Sequence, residues 1–486
     1  MRSPQSVAVV GGGISGLATA YFLTHPEDGS RGVPEVTLLE AGPALGGKIA
    51  TVDVAGFPVD TGPDAVLARV PLVGKLFADL GLAGAMQGPA SRRAYVWTRG
   101  VLRPLPPGSV FGVPEHLLPL LRSGLLGPWG VARAGADLVM PRLRIPADPS
   151  IEQLLRPRFG RQVYDRLIEP MLGGVHAGRA DALSARSAVP EVFALAQRHR
   201  STYLGLRRRG PRNGSGPALV AVEGGLTRLV DTLRDALTGV EVRTGVTATG
   251  VERDGRRYSV HADGRDPLEV DRVVLATPAR ASAALLRGVC PEAAEVLAAV
   301  PYVGVATVTL AYPRSAVDRE LDGTGFLVPP VERRFLVGCS WLTAKWPYLD
   351  DPDTALFRCM VGRYGDESWA ELDDDELVLR VHTELAEALG VTGQPTHVHV
   401  QRWPGAMPQY TIGHETRLQV LDTALRAVPG IHLTGAAYRG VGIAGCITQA
   451  NATARRVLDG VSPPPTRVID VSGGATAKAS RKRRSR

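Results

Sequence analysis

The chain opens on a short apolar run at 7–10, a glycine-rich turn, a run of small and apolar residues at 17–23, and a second apolar run at 36–39. That order predicts strand, turn, helix and strand. Residues 52–59 alternate around Gly56 and predict a hairpin, and 70–88 read as an amphipathic helix and its exit. From Arg92 to Leu183 the pattern changes. Pro104, Pro106, Pro107 and Pro114 punctuate its first part, and Leu-rich stretches at 117–126, 131–139, 151–155 and 163–172 predict short helices with apolar faces. A helix at 226–237 then precedes strands at 240–243, 251–260 and 270–275. Further strands are expected at 303–312, 326–328, 356–362 and 397–402, alternating as in a sheet with one covered face. Residues 373–389 form an amphipathic helix whose acidic start suits the helix dipole. A last strand at 431–433 leads through a second glycine-rich turn into a helix that runs through Ala454.

The first turn carries specific chemistry. Gly11 permits a tight turn after a buried strand, Gly13 lets backbone N–H groups approach a pyrophosphate, and Gly16 lets the helix pack close. The helix N-terminus is aimed at the phosphates. Glu40, at the end of the second strand, is placed to accept hydrogen bonds from ribose hydroxyls. Strand, glycines, helix, strand and acid in this order predict dinucleotide binding. The later turn, from Gly435 to Ile443, repeats the theme of a strand feeding a helix N-terminus.

Composition narrows the classes. The formal charge of +8 is concentrated at 463–486, where seven basic residues face one acid, Asp470, leaving about +2 for the remainder. The body is therefore not a nucleic-acid binder on charge grounds, and the tail, rich in Pro, Gly, Ser and Ala, is expected to be disordered. No run of eighteen apolar residues appears, so no membrane span is expected, and the chain enters its first strand too early for a signal peptide. Cys290, Cys339, Cys359 and Cys446 have no metal-ligand or CxxC spacing, which points to a reduced, cytoplasmic setting without a metal site. His176, a lone histidine in a glycine-rich turn, reads as structural rather than catalytic. The basic stretch at 207–217 reads as a mobile loop.

Taken together, Gly11–Gly16 with Glu40, Gly46-Gly47-Lys48, Gly62-Pro63-Asp64, Glu169-Pro170 through Ala177-Gly178, Trp403 through Tyr410 with Gly413-His414, and Tyr438-Arg439-Gly440-Val441-Gly442-Ile443 resemble the protoporphyrinogen/coproporphyrinogen oxidase family of amine-oxidase-type flavoproteins. The resemblance covers the chain to about Gly460. It implies an α/β fold of the p-hydroxybenzoate hydroxylase/monoamine oxidase type: a two-dinucleotide-binding, Rossmann-like FAD domain with an α+β substrate domain and a helical lobe. The expected division is FAD-binding at 1–90, 216–288 and 426–460, a helical substrate-covering lobe at 91–183, substrate domain at 184–215 and 289–425, and the tail at 461–486. FAD is implied to lie along Gly11, Gly13, Ile14, Ser15, Gly16, Glu40, Ala41, Gly46, Gly47, Lys48, Gly62, Pro63, Asp64, Thr277, Gly435, Val441, Gly442 and Ile443, with the adenine edge on the backbone of Val246.

The implied reaction is a six-electron oxidation of a porphyrinogen, each hydride passing from a meso carbon to flavin N5, with O2 as the terminal acceptor and hydrogen peroxide as its product. The protein then supplies orientation and a dry cavity. Coproporphyrinogen III, with four propionates, asks for a more basic pocket than protoporphyrinogen IX. The arginine-rich body and a Gly-, Pro-, Ala- and Arg-rich composition of GC-rich bacterial type favour the former. Candidate substrate contacts are Arg69, Arg99, Arg208 and Tyr410. Further expectations are a monomer or homodimer, transient contact with ferrochelatase and peripheral membrane contact at most. Alternatives are protoporphyrinogen IX oxidase, an FAD amine oxidase or desaturase, with Cys446 the one cysteine near the C-terminal motif, and a non-catalytic FAD protein.

Overall fold

The strand Ser6–Val10 pairs in parallel with Glu35–Leu39 on one side and Arg272–Leu275 on the other. Val240–Arg243 and Ile431–Leu433 extend the sheet at its two edges, also in parallel. Both faces of this five-stranded sheet are covered, which is why its central strands are continuously apolar rather than alternating. Val7, Val9, Val36 and Leu38 pack under the helices Ile14–Thr24, Thr227–Ala236 and Ile443–Asp459, while Ala8, Val10, Val273 and Leu275 face Ala279–Leu286 and Pro291–Ala298. Three separate stretches of chain therefore build one layer. The computed structural model describes residues 5–26, 32–208 and 217–460. The basic tail at 461–486 and positions 209–216 of the expected loop lie outside the described residues.

A second sheet has seven strands in the order His397–Pro408, Tyr302–Pro313, Thr354–Val361, Leu336–Trp341, Gly325–Leu327, Tyr95–Thr98 and Val101–Pro104. One face carries Val308, Phe357 and Cys359 against Leu377, Val381 and Leu385 of the helix Asp374–Leu389. Asp373 caps that helix, accepting from the Glu376 N–H at 2.9 Å. The other face turns toward the first domain.

Two elements depart from the sequence reading. Tyr95–Thr98 and Val101–Pro104 form a hairpin in the second sheet, whereas the stretch from Arg92 had been expected to begin the helical lobe. Tyr95, Val96, Trp97 and Thr98 are all buried, and such aromatic and β-branched residues favour a pleated surface. The proline at 104 ends an edge strand, where no ladder hydrogen bond is lost. Leu336–Trp341 was also not anticipated, because a bulge between Leu336 and Gly338 breaks its alternation.

The helical lobe contains Leu117–Arg122, Pro128–Gly135, Ile151–Phe159 and a segment from Arg161 to His176 that passes through a π turn at Tyr164–Ile168. Its own core includes Leu120, Leu154, Phe159, Leu167 and Leu172. Among the described residues no helix is long and apolar enough to cross a membrane.

Candidate FAD cleft and substrate pocket

Gly16 shows why the first turn must be glycine. A Cβ there would lie 1.8 Å from the Gly11 carbonyl oxygen, so any side chain would push the helix off the sheet. The helix Ile14–Thr24 starts at Gly13 with no side-chain cap and no acid in its first turn. Its first intrahelical bond is made by Leu17, to Gly13 at 3.0 Å, which leaves the N–H groups of Ile14, Ser15 and Gly16 without partners inside the helix. The same holds at the other end of the chain. Ile443–Asp459 starts at Gly442 (φ +81°), again uncapped and without acids, and its first bond is from Cys446 to Gly442 at 3.0 Å.

The two helices pack side by side, with the Ser15 hydroxyl bonding the buried Cys446 thiol. Two positive helix ends thus open on one cleft, an arrangement suited to a pyrophosphate.

The walls follow from the same stretch. Gly46 donates to the Gly12 carbonyl at 2.9 Å, and a Cβ on Gly47 would meet the Gly13 Cα at 3.2 Å. Glu40 accepts from Gly12 N–H at 2.6 Å and Gly42 N–H at 2.8 Å, which fixes its carboxylate at the mouth of the first turn. Val246 donates its N–H to the Glu40 carbonyl at 2.9 Å, so a base edge can reach only its carbonyl oxygen. Lys48 has protein on most sides yet keeps accessible surface, as expected of a residue in a cleft wall; burial lowers its ammonium pKa, and it donates to the Ala406 carbonyl. Thr277 shares a 2.8 Å hydrogen bond with Ser282 behind Gly11, and Gly435 (φ +136°) passes Ser15 closely enough that a Cβ would stand 3.9 Å from its hydroxyl. Glycine and backbone N–H line this cleft: a Cβ on Gly13 would meet only Gly46 and Gly47 at 3.9–4.0 Å and one on Gly442 nothing within 4 Å, so side chains there would stand in open space the glycines leave free. The residues fit FAD.

The second sheet grips the cleft from the other side. A Cβ on Gly62 would come within 2.1 Å of the Lys48 carbonyl oxygen. Arg358 donates to the carbonyls of Asp60 (2.6 Å) and Gly62 (3.0 Å), while Thr307 (2.9 Å) and Trp403 (3.1 Å) both donate to that of Thr61. Asp64 had been expected to touch the cofactor, but its carboxylate is committed to Lys345 at 2.7 Å, Arg358 at 3.1 Å and the Trp346 indole at 3.3 Å. Burial would raise its pKa, and the two cations outweigh that and hold it well below the usual carboxylate range. Asp64 therefore locks the turn between the domains. Lys345, Trp346 and Arg358 were not anticipated. The one available signal was Arg358, a charge in the middle of an otherwise apolar strand.

Beside this junction lies a small apolar cluster: Ala177, Val303, Val305 and Ala406, with Tyr364, Trp403 and Met407 packed on it. His176 adjoins it at the C-terminal end of the helix Glu169–His176. Its ring is 5 % exposed, and burial lowers its pKa to about 4, so it is neutral. The Gln409 amide donates to its carbonyl at 2.9 Å.

The substrate candidates fare differently. Tyr410 is 3 % exposed; its hydroxyl donates to the Ala436 carbonyl at 2.7 Å and accepts from Gly440 N–H at 2.9 Å, and its ring stacks on His414 at 4.0 Å. It clamps the C-terminal glycine loop instead of facing a substrate. Arg99 (φ +55°) is exposed at the tip of the Tyr95–Pro104 hairpin, its N–H bonded to Glu332 at 3.1 Å. It stands four strands from Tyr302–Pro313, about 19 Å at ordinary strand spacing, and so away from the apolar cluster. Arg208 ends the helix Thr202–Arg208, exposed, and Arg69 is exposed just beyond the short strand Val66–Leu67.

Comparison with known proteins places this geometry. The family model for flavin containing amine oxidoreductases matches residues 14–458. A coproporphyrinogen III oxidase of Bacillus subtilis is 35 % identical over 464 residues, spanning 93 % of this chain and 98 % of the relative. One from Mycobacterium tuberculosis is 32 % identical over 466 residues, spanning 94 % and 98 %. A protoporphyrinogen oxidase of Arabidopsis thaliana is 29 % identical, spanning 92 % and 87 %. Among solved structures, an Exiguobacterium protein provisionally named a protoporphyrinogen oxidase superposes with a TM-score of 0.82 at 31 % identity, spanning 94 % of this chain and 99 % of that one. Putrescine oxidase, at 17 % identity and a TM-score of 0.66, shares the fold. This chain belongs to the flavin-containing amine oxidoreductases and, within them, to the coproporphyrinogen III oxidase family.

Proposed function

We propose that the protein is an FAD-dependent, oxygen-using oxidase that converts coproporphyrinogen III to coproporphyrin III in haem biosynthesis. The observation that carries this reading is the meeting of two uncapped helix ends, the glycine cradle and the apolar cluster of Ala177, Val305 and Ala406 at one junction. The backbone of Gly11 to Gly16, Gly46 to Lys48, Gly62-Pro63 and Val441 to Ile443 would hold FAD, with Glu40 on a ribose and the Val246 carbonyl toward the adenine. FAD, when bound, supplies the acceptor for the hydride lost at each step.

The side chains do the rest. Val303, Val305, Trp403 and Ala406 exclude water, and Arg358, Thr307 and Trp403 fix the turn on which the reacting face is built. Converting the porphyrinogen to the porphyrin removes six hydrogens as three hydrides and three protons, four of the six leaving meso carbons and two leaving pyrrole nitrogens; three O2 are reduced to three H2O2. Buried, neutral His176 offers no strong base, so solvent takes the protons in this reading. A cytoplasmic location with peripheral membrane contact at most, a monomer or homodimer, and product handed to a ferrochelatase belong to the same proposal.

The test is aerobic turnover of the flavin-loaded protein on coproporphyrinogen III and protoporphyrinogen IX side by side, read by porphyrin fluorescence and corrected for autoxidation. Preference for the copro substrate is expected. Preference for the proto substrate would move the reading to the plant relative's named reaction, and turnover of neither would overturn it.

A further inference from the structure

Among the described residues several deep arginines have acidic partners, whereas the half-buried Arg166, in the helical lobe, and Arg363, beside the apolar cluster, make no side-chain bond. Arg158 pairs with Asp137 at 3.3 Å, Arg358 with Asp64 at 3.1 Å, Arg402 with Asp374 at 2.7 Å and Arg439 with Asp422. Arg363 makes no side-chain hydrogen bond or ion pair among the described residues. It is half-buried, and burial lowers its pKa, yet none of its nitrogens is sealed from open space.

The acids nearest in charge are committed elsewhere. Glu384 accepts from Phe335 N–H and Leu336 N–H, each at 2.9 Å, and Glu169 accepts from Ala180 N–H at 3.1 Å. Asp366 meets Arg363 through the backbone, the two residues exchanging N–H···O bonds of 3.0 and 2.8 Å.

That backbone is held firmly. Gly362 (φ +92°) turns the chain out of the strand Thr354–Val361, and a Cβ there would strike the Trp369 indole nitrogen at 2.5 Å. The next residue, Tyr364, donates to the Ala177 carbonyl at 2.7 Å and packs on the apolar cluster. A guanidinium on a pinned backbone, with no acid at ion-pair distance and with open space before it, is a preorganised carboxylate receptor. We propose that Arg363 binds one propionate carboxylate of the tetrapyrrole, which orients the macrocycle over the apolar cluster; this rests on the porphyrinogen reading given above.

The experiment compares Arg363→Gln and Arg363→Lys with the parent enzyme, all flavin-loaded. Two quantities are read: KM and kcat for coproporphyrinogen III, and the Kd of the product coproporphyrin III from fluorescence titration without turnover. Arg363→Gln should raise both KM and Kd about tenfold or more with kcat within about twofold, as for loss of uniform binding. Arg363→Lys should recover part of the loss, since the charge returns without the bidentate fork. Flavin absorbance and melting temperature should match the parent. KM and Kd within about twofold of the parent would overturn the assignment, as would a fall in kcat with Kd unchanged. If the parent itself turns over neither porphyrinogen, the functional reading fails; a loss of coproporphyrin binding confined to the Gln variant would still support the carboxylate site.

Discussion

Tyr410 and Asp60 show how single side chains set the junction. Tyr410 spends its hydroxyl on Ala436 and Gly440, the two sides of the loop that leads to the second helix end. Tyr410→Phe should therefore cost about 1–3 kcal/mol of stability and leave KM unchanged, measurable by chemical denaturation and steady-state kinetics. A KM change without a stability change would restore the hydroxyl to the substrate. Asp60 is buried beneath the hairpin it ends. Its Oδ1 accepts from Thr51 at 2.6 Å and from Leu226 N–H at 2.8 Å, but Oδ2 has no partner, and burial pushes its pKa up to about 6. The folded state thus holds the proton more tightly than the unfolded chain. The charged form costs stability above about pH 6, and the cost is relieved as pH falls through 6 toward the ordinary carboxylate value. Relative to Asp60→Asn, the parent should gain stability between pH 7 and pH 5, about 1 kcal/mol. A difference flat in pH would contradict it.

Elements were legible where their cause is local. The glycines of the first turn, the acidic start of Asp374–Leu389 and the strand Val240–Arg243 announce themselves within a few residues. Tyr95–Thr98 did not, because four residues between prolines carry too little periodicity, and its partner Gly325–Leu327 lies more than two hundred residues away. Long separation likewise hid Lys345 behind Asp64 and placed Tyr364, next to Arg363, on the Ala177 carbonyl. No pattern in the sequence distinguishes a guanidinium with an acid beside it from one without. One element-scale device follows from the helix Ile443–Asp459. Gln449, on its second turn, donates to the Gly440 carbonyl at 3.0 Å and accepts from Arg439 N–H at 3.0 Å, so the helix holds its own entrance loop. Gln449→Leu would strand both backbone groups. It should weaken flavin binding about tenfold with secondary structure intact, which flavin-fluorescence titration beside far-ultraviolet circular dichroism would check.

At the scale of the molecule, the cleft is shared between domains. The turn at Asp60–Gly62 belongs to the first domain but is tied to Thr307, Arg358 and Trp403 of the second sheet. Filling the cleft should therefore stabilise both together. At FAD a hundredfold above its Kd the linkage is about 2.7 kcal/mol, and melts followed by tryptophan and by released flavin should coincide and rise with added FAD. A tryptophan transition indifferent to FAD would show that the domains melt apart. The five-stranded sheet also imposes an order on synthesis. Its central strand is made within the first ten residues, yet its edge strand Ile431–Leu433 and the helix after it come last. A nascent chain on the ribosome thus displays the complete first glycine turn long before the opposite helix end exists. Cofactor capture is in effect a checkpoint for synthesis carried through the helix Ile443–Asp459, and yellow colour reports a chain extended at least that far.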